Sequence, residues 1–178
     1  NISHLKLSKP KSKMNEEVFL NGLYSLSGKV ALVTGGGTGI GKRMAESIAK
    51  AGASVIVSAR REELLIETVK KISKLGGKSN FLQYDLYNAK TFSEFVINVS
   101  KFFGPPDILV NAAGINLRES SEKITYDSWD KTLGINLRTP FFLAQTLLPE
   151  MVKNKWGRII NLASLQSRRA FPNSLAYG

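Results

Sequence analysis

From Thr34 the chain reads Thr34-Gly35-Gly36-Gly37-Thr38-Gly39-Ile40-Gly41, five glycines in eight residues. Without Cβ atoms in the way, main-chain amides in such a run can close on an anion. The flanks say what kind. Val30-Ala31-Leu32-Val33 is a short apolar run suited to a strand buried on both faces, and Ile40, Met44 and Ile48 then recur at helical spacing with Ala45 and Ala49 beside them. The glycines therefore lie between a strand and a helix N-terminus. There they take backbone angles other residues avoid, admit a diphosphate to the main chain and let the helix pack close to the strand. The free amides of the first helical turn face the anion. A glycine triplet alone is often only a tight turn, but strand, glycines, helix and a second strand in succession imply a dinucleotide site.

The rest of the composition narrows the chemistry. Among 178 residues there is no cysteine, which removes disulfides, thiolate metal sites and cysteine nucleophiles, and the one histidine is His4. No metal site is expected, and acid–base work must fall to Tyr, Lys, Asp or Glu. The net charge of +11 is partly a matter of the start of the chain, where Lys6, Lys9, Lys11 and Lys13 meet no acid. Elsewhere the surplus is scattered, without a basic stripe interleaved with aromatics, so nucleic acid is not the expected partner and small anionic ligands suit it better. With no apolar run of about 18 residues, no membrane span is expected. In the absence of a convincing signal the expected location is cytoplasmic.

The positioning elements follow from periodicity. Residues 1–27 read as a basic flexible extension and lead-in, with Val18, Phe19, Leu20, Leu23, Tyr24 and Leu26 expected to pack on the sheet edge. Met14 is a possible initiator, and a transit peptide is the alternative to a flexible tail. Residues 28–178 read as one dinucleotide-binding domain. Strands are expected at Val30–Val33, Ser54–Ala59, Asn80–Tyr84, Asp107–Val110 and Arg158–Leu162. Helices are expected through Leu64–Leu75, Phe92–Phe102 and Ser128–Lys153. The fold class is therefore α/β: a doubly wound parallel sheet, the Rossmann fold, in three α/β/α layers.

Thr34-Gly35-x-x-x-Gly39-x-Gly41 resembles the signature of the short-chain dehydrogenase/reductase family, and later motifs agree with it. Gly35, Thr38, Gly39, Ile40 and Gly41 would then bind the cofactor. Ala59 stands where an NAD enzyme of this type has a carboxylate for the ribose hydroxyls, and Arg60 follows. A guanidinium can grip a 2′-phosphate at two points, so NADP is expected rather than NAD, unless Arg60 and Arg61 merely solvate a helix start. Asp85-Leu86 is similar to the family's adenine-holding pair, with helix capping by Asp85 as the alternative. Asn111-Ala112-Ala113-Gly114 resembles the family's Asn-Asn-Ala-Gly, with Ala112 at the second asparagine. A methyltransferase-like fold also opens on a glycine turn, but it wants an acid where Ala59-Arg60 stands.

Asn136, Ser164 and Tyr177 match three members of the family's catalytic Asn-Ser-Tyr-Lys set. The resemblance implies that Asn136 supports a water, Ser164 hydrogen-bonds the substrate oxygen and Tyr177 exchanges the proton with a carbonyl or alcohol substrate. A free phenol ionises near pH ~10, so use near neutrality asks for about 4 kcal/mol of phenolate stabilisation, much of it from the lysine of Tyr-x-x-x-Lys. That lysine falls three positions past Gly178. The chain is read as the N-terminal part of a longer enzyme, its C-terminal strands missing here; the alternative is a dinucleotide-binding remnant without catalysis. Residues 161–174 look most like the gluconate 5-dehydrogenase branch, and Arg118, Arg168 and Arg169 on nearby loops would suit an anionic sugar acid. The runner-up substrate is a 3-oxoacyl thioester. Family members commonly form homotetramers or homodimers; Phe141, Phe142, Leu143, Ala144, Leu147 and Leu148 suit such an interface or the core. Calorimetry is expected to show NADPH binding tighter than NADH, and Arg60→Ala to weaken NADPH about tenfold while sparing NADH.

Overall fold

A computed structural model describes residues 22–87 and 92–178. Among them five strands form one parallel sheet: β1 (Val30–Thr34), β2 (Ser54–Ala59), β3 (Ser79–Gln83), β4 (Ile108–Asn111) and β5 (Arg158–Asn161), in the order β3-β2-β1-β4-β5. The connecting helices are α1 (Gly39–Lys50), α2 (Glu62–Lys74), α3 (Phe92–Phe103), α4 (Tyr126–Leu133) and α5 (Thr139–Lys153). Alternation along β1 divides the core in two. Ala31 and Val33, with Val55 and Val57, meet Ala45 and Ala49 of α1 and Leu65 and Ile72 of α2. Leu32, Ile56 and Leu109 face Phe95 and Val99 of α3 and Leu143, Leu147 and Met151 of α5. The expected three layers are present, with every residue of β1 and β4 buried.

Element ends differ from expectation by a residue or so, for identifiable reasons. β4 begins at Ile108, one residue late, with the Asp107 carboxylate accepting the Val30 amide at 3.0 Å at its edge. The helix expected over Ser128–Lys153 starts earlier, where Thr125 and Ser128 form a reciprocal capping box, and carries a π-helical segment at Gly134–Arg138 between α4 and α5. β3 lies one residue earlier than expected. In the lead-in, Leu26 packs on the core and its amide reaches Ala51 O at 2.7 Å, whereas Leu23 and Tyr24 are exposed. Their exposure among the described residues corrects the expected packing on the sheet edge. Val18, Phe19 and Leu20, like the lysine-rich start and Met14, lie outside the described residues. No helix of the described residues is long and apolar enough to cross a membrane. All four residues of β5 are exposed.

The layer that carries the glycine turn is fastened by one carboxylate. Glu46 on α1 is buried and receives Arg43 Nη1 at 2.9 Å and Lys71 Nζ, from α2, at 3.1 Å. Burial pushes its carboxyl up, but the hydrogen bonds and charges of Lys71 and Arg43 outweigh this and hold it below the usual glutamate range. Stabilisation from a depressed carboxyl is complete above the unfolded value and is lost as pH falls through the folded one. Glu46→Gln is therefore expected to cost about 1–2 kcal/mol in chemical denaturation near neutral pH. The difference from the parent should shrink on acidification below the ordinary glutamate value of about 4.3.

Candidate active site

The glycine turn leaves β1 at Thr34 and enters α1 at Gly39. Gly39 has φ +53°, with nothing within 4 Å of the place a Cβ would occupy, so its bare face opens on space. At Gly41 a Cβ would collide with the Gly35 carbonyl, which is why α1 can begin this close to the strand. Thr38, the N-cap, makes no side-chain capping bond, and the first turn of α1 holds no acid. By contrast α2 begins with Glu62 and Glu63, and α4 has its capping box. The amides at the start of α1 are thus left for an outside anion.

These amides line a cleft of about 560 Å³ together with Gly35, Arg60, Arg61, Asp85, Leu86 and Ala112–Gly114. Arg60 is exposed at the end of β2, where Ala59 offers no carboxylate, and its carbonyl accepts Gln83 Nε2 at 2.9 Å. Asp85 Oδ1 accepts the Tyr87 amide at 3.1 Å, shaping the turn after β3. A second cavity, of about 1070 Å³, holds Asn136, Ser164 and Tyr177. It shares Ile40, Ala112–Ile115 and Leu162 with the first, so the two form one trough along the C-terminal edge of the sheet.

Three polar ties shape the trough. Thr34 Oγ1 donates to Val110 O at 3.3 Å and accepts the amides of Ala112 and Ala113, each at 3.2 Å, binding the root of the glycine turn to the loop after β4. Asn111 Nδ2 donates to Asn161 Oδ1 at 2.8 Å across β4 and β5. Asn136 grips Ile115 twice: its Oδ1 accepts the Ile115 amide at 2.9 Å and its Nδ2 donates to the Ile115 carbonyl at 2.8 Å. Ser164 Oγ accepts the Gln166 amide at 3.2 Å, an arrangement that leaves the hydroxyl proton for another acceptor.

The structure thus brings the candidate cofactor residues other than Asn111 into one cleft, and Asn111 with the three candidate catalytic residues into the adjoining cavity. It does not bring the loop arginines there. Arg168 and Arg169 line a separate cavity of about 610 Å³ that meets the catalytic one at Gly178, and Arg118 lines a small one beside Asn173 and Tyr177. Asp127, Lys131 and Ile135 also wall the nucleotide cleft. Sequence reading passed them over because helical spacing does not tell which loop a helix faces. The tie made by Thr34 was missed as well, although the motif named the residue. Among the described residues no group of three or more His, Cys, Asp or Glu could hold a metal ion.

Thr34→Val keeps the shape of the side chain but takes the Thr34 acceptor from the Ala113 amide and leaves the Ala112 amide with the Val110 carbonyl. It is expected to cost about 2–3 kcal/mol in denaturant unfolding and to weaken dinucleotide binding by calorimetry.

Comparison with known proteins agrees with this geometry. The family model described as short chain dehydrogenase matches residues 29–178. The gluconate 5-dehydrogenase of Gluconobacter oxydans is 34% identical over 155 residues, covering 87% of this chain and 60% of that protein. The NAD-dependent glycerol dehydrogenase of Listeria innocua is 34% identical over 154 residues, covering 86% of this chain and 59% of that protein. The crystal structure of a 3-oxoacyl (acyl-carrier-protein) reductase from Agrobacterium tumefaciens C58 with NADP bound superposes with a TM-score of 0.85 at 30% identity, over 93% of this chain and 64% of that one. The chain spans about half to three fifths of the length of the curated relatives it matches. With the glycine turn, the Asn111 loop and all five strands inside the matched span, the chain belongs to the short-chain dehydrogenase family.

Proposed function

We propose that the protein carrying this chain is an NADP-dependent oxidoreductase that moves hydride reversibly between NADP(H) and a carbonyl or secondary alcohol. The observation that carries this reading is the single trough running from Arg60 past the uncapped start of α1 to Ser164 and Tyr177. A dinucleotide fits its parts. Gly35 and Thr38–Gly41 offer amides to the diphosphate, Arg60 meets a 2′-phosphate, Asp85 and Leu86 receive the adenine, and Asn111–Gly114 form the wall beside it. The absence of a carboxylate at Ala59 favours NADP, as does the NADP-bound Agrobacterium reductase; the Listeria relative is named for NAD.

The bound cofactor supplies or accepts the hydride. Ser164, held from behind by the Gln166 amide, directs its proton at the substrate oxygen and stabilises the charge that develops there. Tyr177 donates the phenolic proton in reduction and accepts it in oxidation. Asn136 fixes the loop at Ile115, which walls both halves of the trough. A sugar acid such as gluconate or 5-ketogluconate is the preferred substrate, supported by the Gluconobacter relative and by Arg168 and Arg169 in the adjoining cavity. The second reading, a 3-oxoacyl thioester, is favoured by the Agrobacterium structure. Exposed Leu137, Phe141, Phe142, Leu148 and Val152 support assembly as a homodimer or homotetramer.

In the intact polypeptide, Tyr177→Phe is expected to lower kcat by about 10²–10⁴-fold, with the NADPH Kd nearly unchanged. Ser164→Ala should lower it by about 10²–10³-fold. NADPH oxidation with 5-ketogluconate against acetoacetyl thioesters decides between the substrates, and absence of turnover with the keto-acid retires the first.

A further inference from the structure

We infer that Arg138 and Tyr87 form a latch through which the adenosine end of the cleft positions Asn136, a role that rests on the cofactor reading above. The latch is built on the π-helical segment Gly134–Arg138. Its two ends are held by one residue of the loop after β3. The Tyr87 ring lies against Gly134, where a Cβ would come within 2.8 Å of Tyr87 Cε2. Arg138 Nη2 donates to the Tyr87 carbonyl at 3.2 Å, and its guanidinium lies 5.6 Å from the ring centroid. Next in the chain, the buried Thr139 Oγ1 donates to Leu86 O at 3.4 Å.

Between those holds sits Asn136, which reaches to the opposite loop and grips the main-chain amide and carbonyl of Ile115. Gly114 lies close beside it, since a Cβ there would stand 3.3 Å from Asn136 Oδ1, tighter than an ordinary contact. The π segment therefore joins two walls of the cleft that share no strand: Asp85–Tyr87, where the adenine would lie, and Gly114–Ile115, which passes into the catalytic cavity. A widened turn has poorer internal hydrogen bonding than an α-helix, so its shape depends on what grips it from outside. Arg138 is the part of that grip which can be removed from an exposed position without touching the core or the residues assigned to catalysis. It is a positioning residue, acting on Asn136 through the turn.

The Ile115 amide, whose proton goes to Asn136 Oδ1, is the reporter. The probe is adenosine 2′,5′-bisphosphate, which has an adenosine end and no nicotinamide. In the intact polypeptide, saturating probe is expected to slow hydrogen exchange at Ile115 about tenfold, a coupling of ordinary size between sites. In Arg138→Ala the probe should bind within about threefold of the parent by calorimetry, but the slowing at Ile115 should vanish. Arg138→Lys, which keeps a donor for the Tyr87 carbonyl, should restore part of it. Equal slowing in Arg138→Ala, or none in the parent at saturation, overturns the latch and leaves the cofactor reading standing. Failure of the probe to bind at all overturns both.

Discussion

Because β1 lies between β2 and β4, the chain leaves the sheet toward opposite faces on its two sides, and the crevice opens where those paths part. What holds the two roots together is the Thr34 hydroxyl, shared among the Val110 carbonyl and the Ala112 and Ala113 amides. A backbone ladder cannot do this, since the loop after β4 has already left the sheet. The crevice needs a side chain at the last position of β1 that both donates and accepts and is small enough to be fully buried. Threonine meets all three conditions, being 1% exposed here. The separation between the glycine turn and the loop beside it is set at that point, and the rest of the trough is built outward from it.

Much of this architecture was legible in the chain. Two-sided burial of β1 and β4 shows as uninterrupted apolar runs, and the glycines mark the turn because Gly39 takes a positive φ and a Cβ at Gly41 would strike the Gly35 carbonyl. What stayed hidden depends on distant geometry. Asp127 and Lys131 read as ordinary helix surface; only the path of the loop after β3 turns them toward the cleft. Arg168 and Arg169 are expected on loops near the site, and which cavity they line depends on the 3₁₀ turn Leu165–Ser167 before them, which the sequence does not show. Packing of Leu23 and Tyr24 on the sheet edge is an expectation from residue type alone, which says nothing about whether a partner surface is within reach. Asn136 offered a half-signal: a glycine and an asparagine close together inside a long helix are poor helix formers, and they mark the widened segment.

The two faces of the sheet are stabilised differently, and the difference matches their tasks. On the side of α1 and α2, small alanines and the Glu46 carboxylate with its two cations keep the helices close and fixed in register. That rigidity suits a helix whose first turn must present amides at a constant distance. On the side of α3 and α5 the contacts are larger and apolar, with Phe95, Leu143, Leu147 and Met151 filling the space. There the polar fastening is moved to the rim, where Thr139 and Arg138 meet the loop after β3.

The widened turn has a bearing on which sequence changes this chain tolerates. In a regular α-helix each residue advances the wheel by about 100°, and a widened turn takes up one extra residue in about one circuit, so deleting one position between Gly134 and Arg138 would leave the phase of α5 relative to α4 nearly unchanged. Local hydrogen bonding would improve, and the segment alone would be the sturdier for it. Leu143, Leu147 and Met151 would stay on the sheet, and what would be lost is the clasp of the Asn136 amide on the loop at Ile115. Point replacements on the outer face are borne easily, whereas a single-residue frame slip here is not. The irregularity adds one residue, and with it the reach of Asn136 to the opposite loop, without turning the half of the helix beside the cleft against the half that anchors to the core.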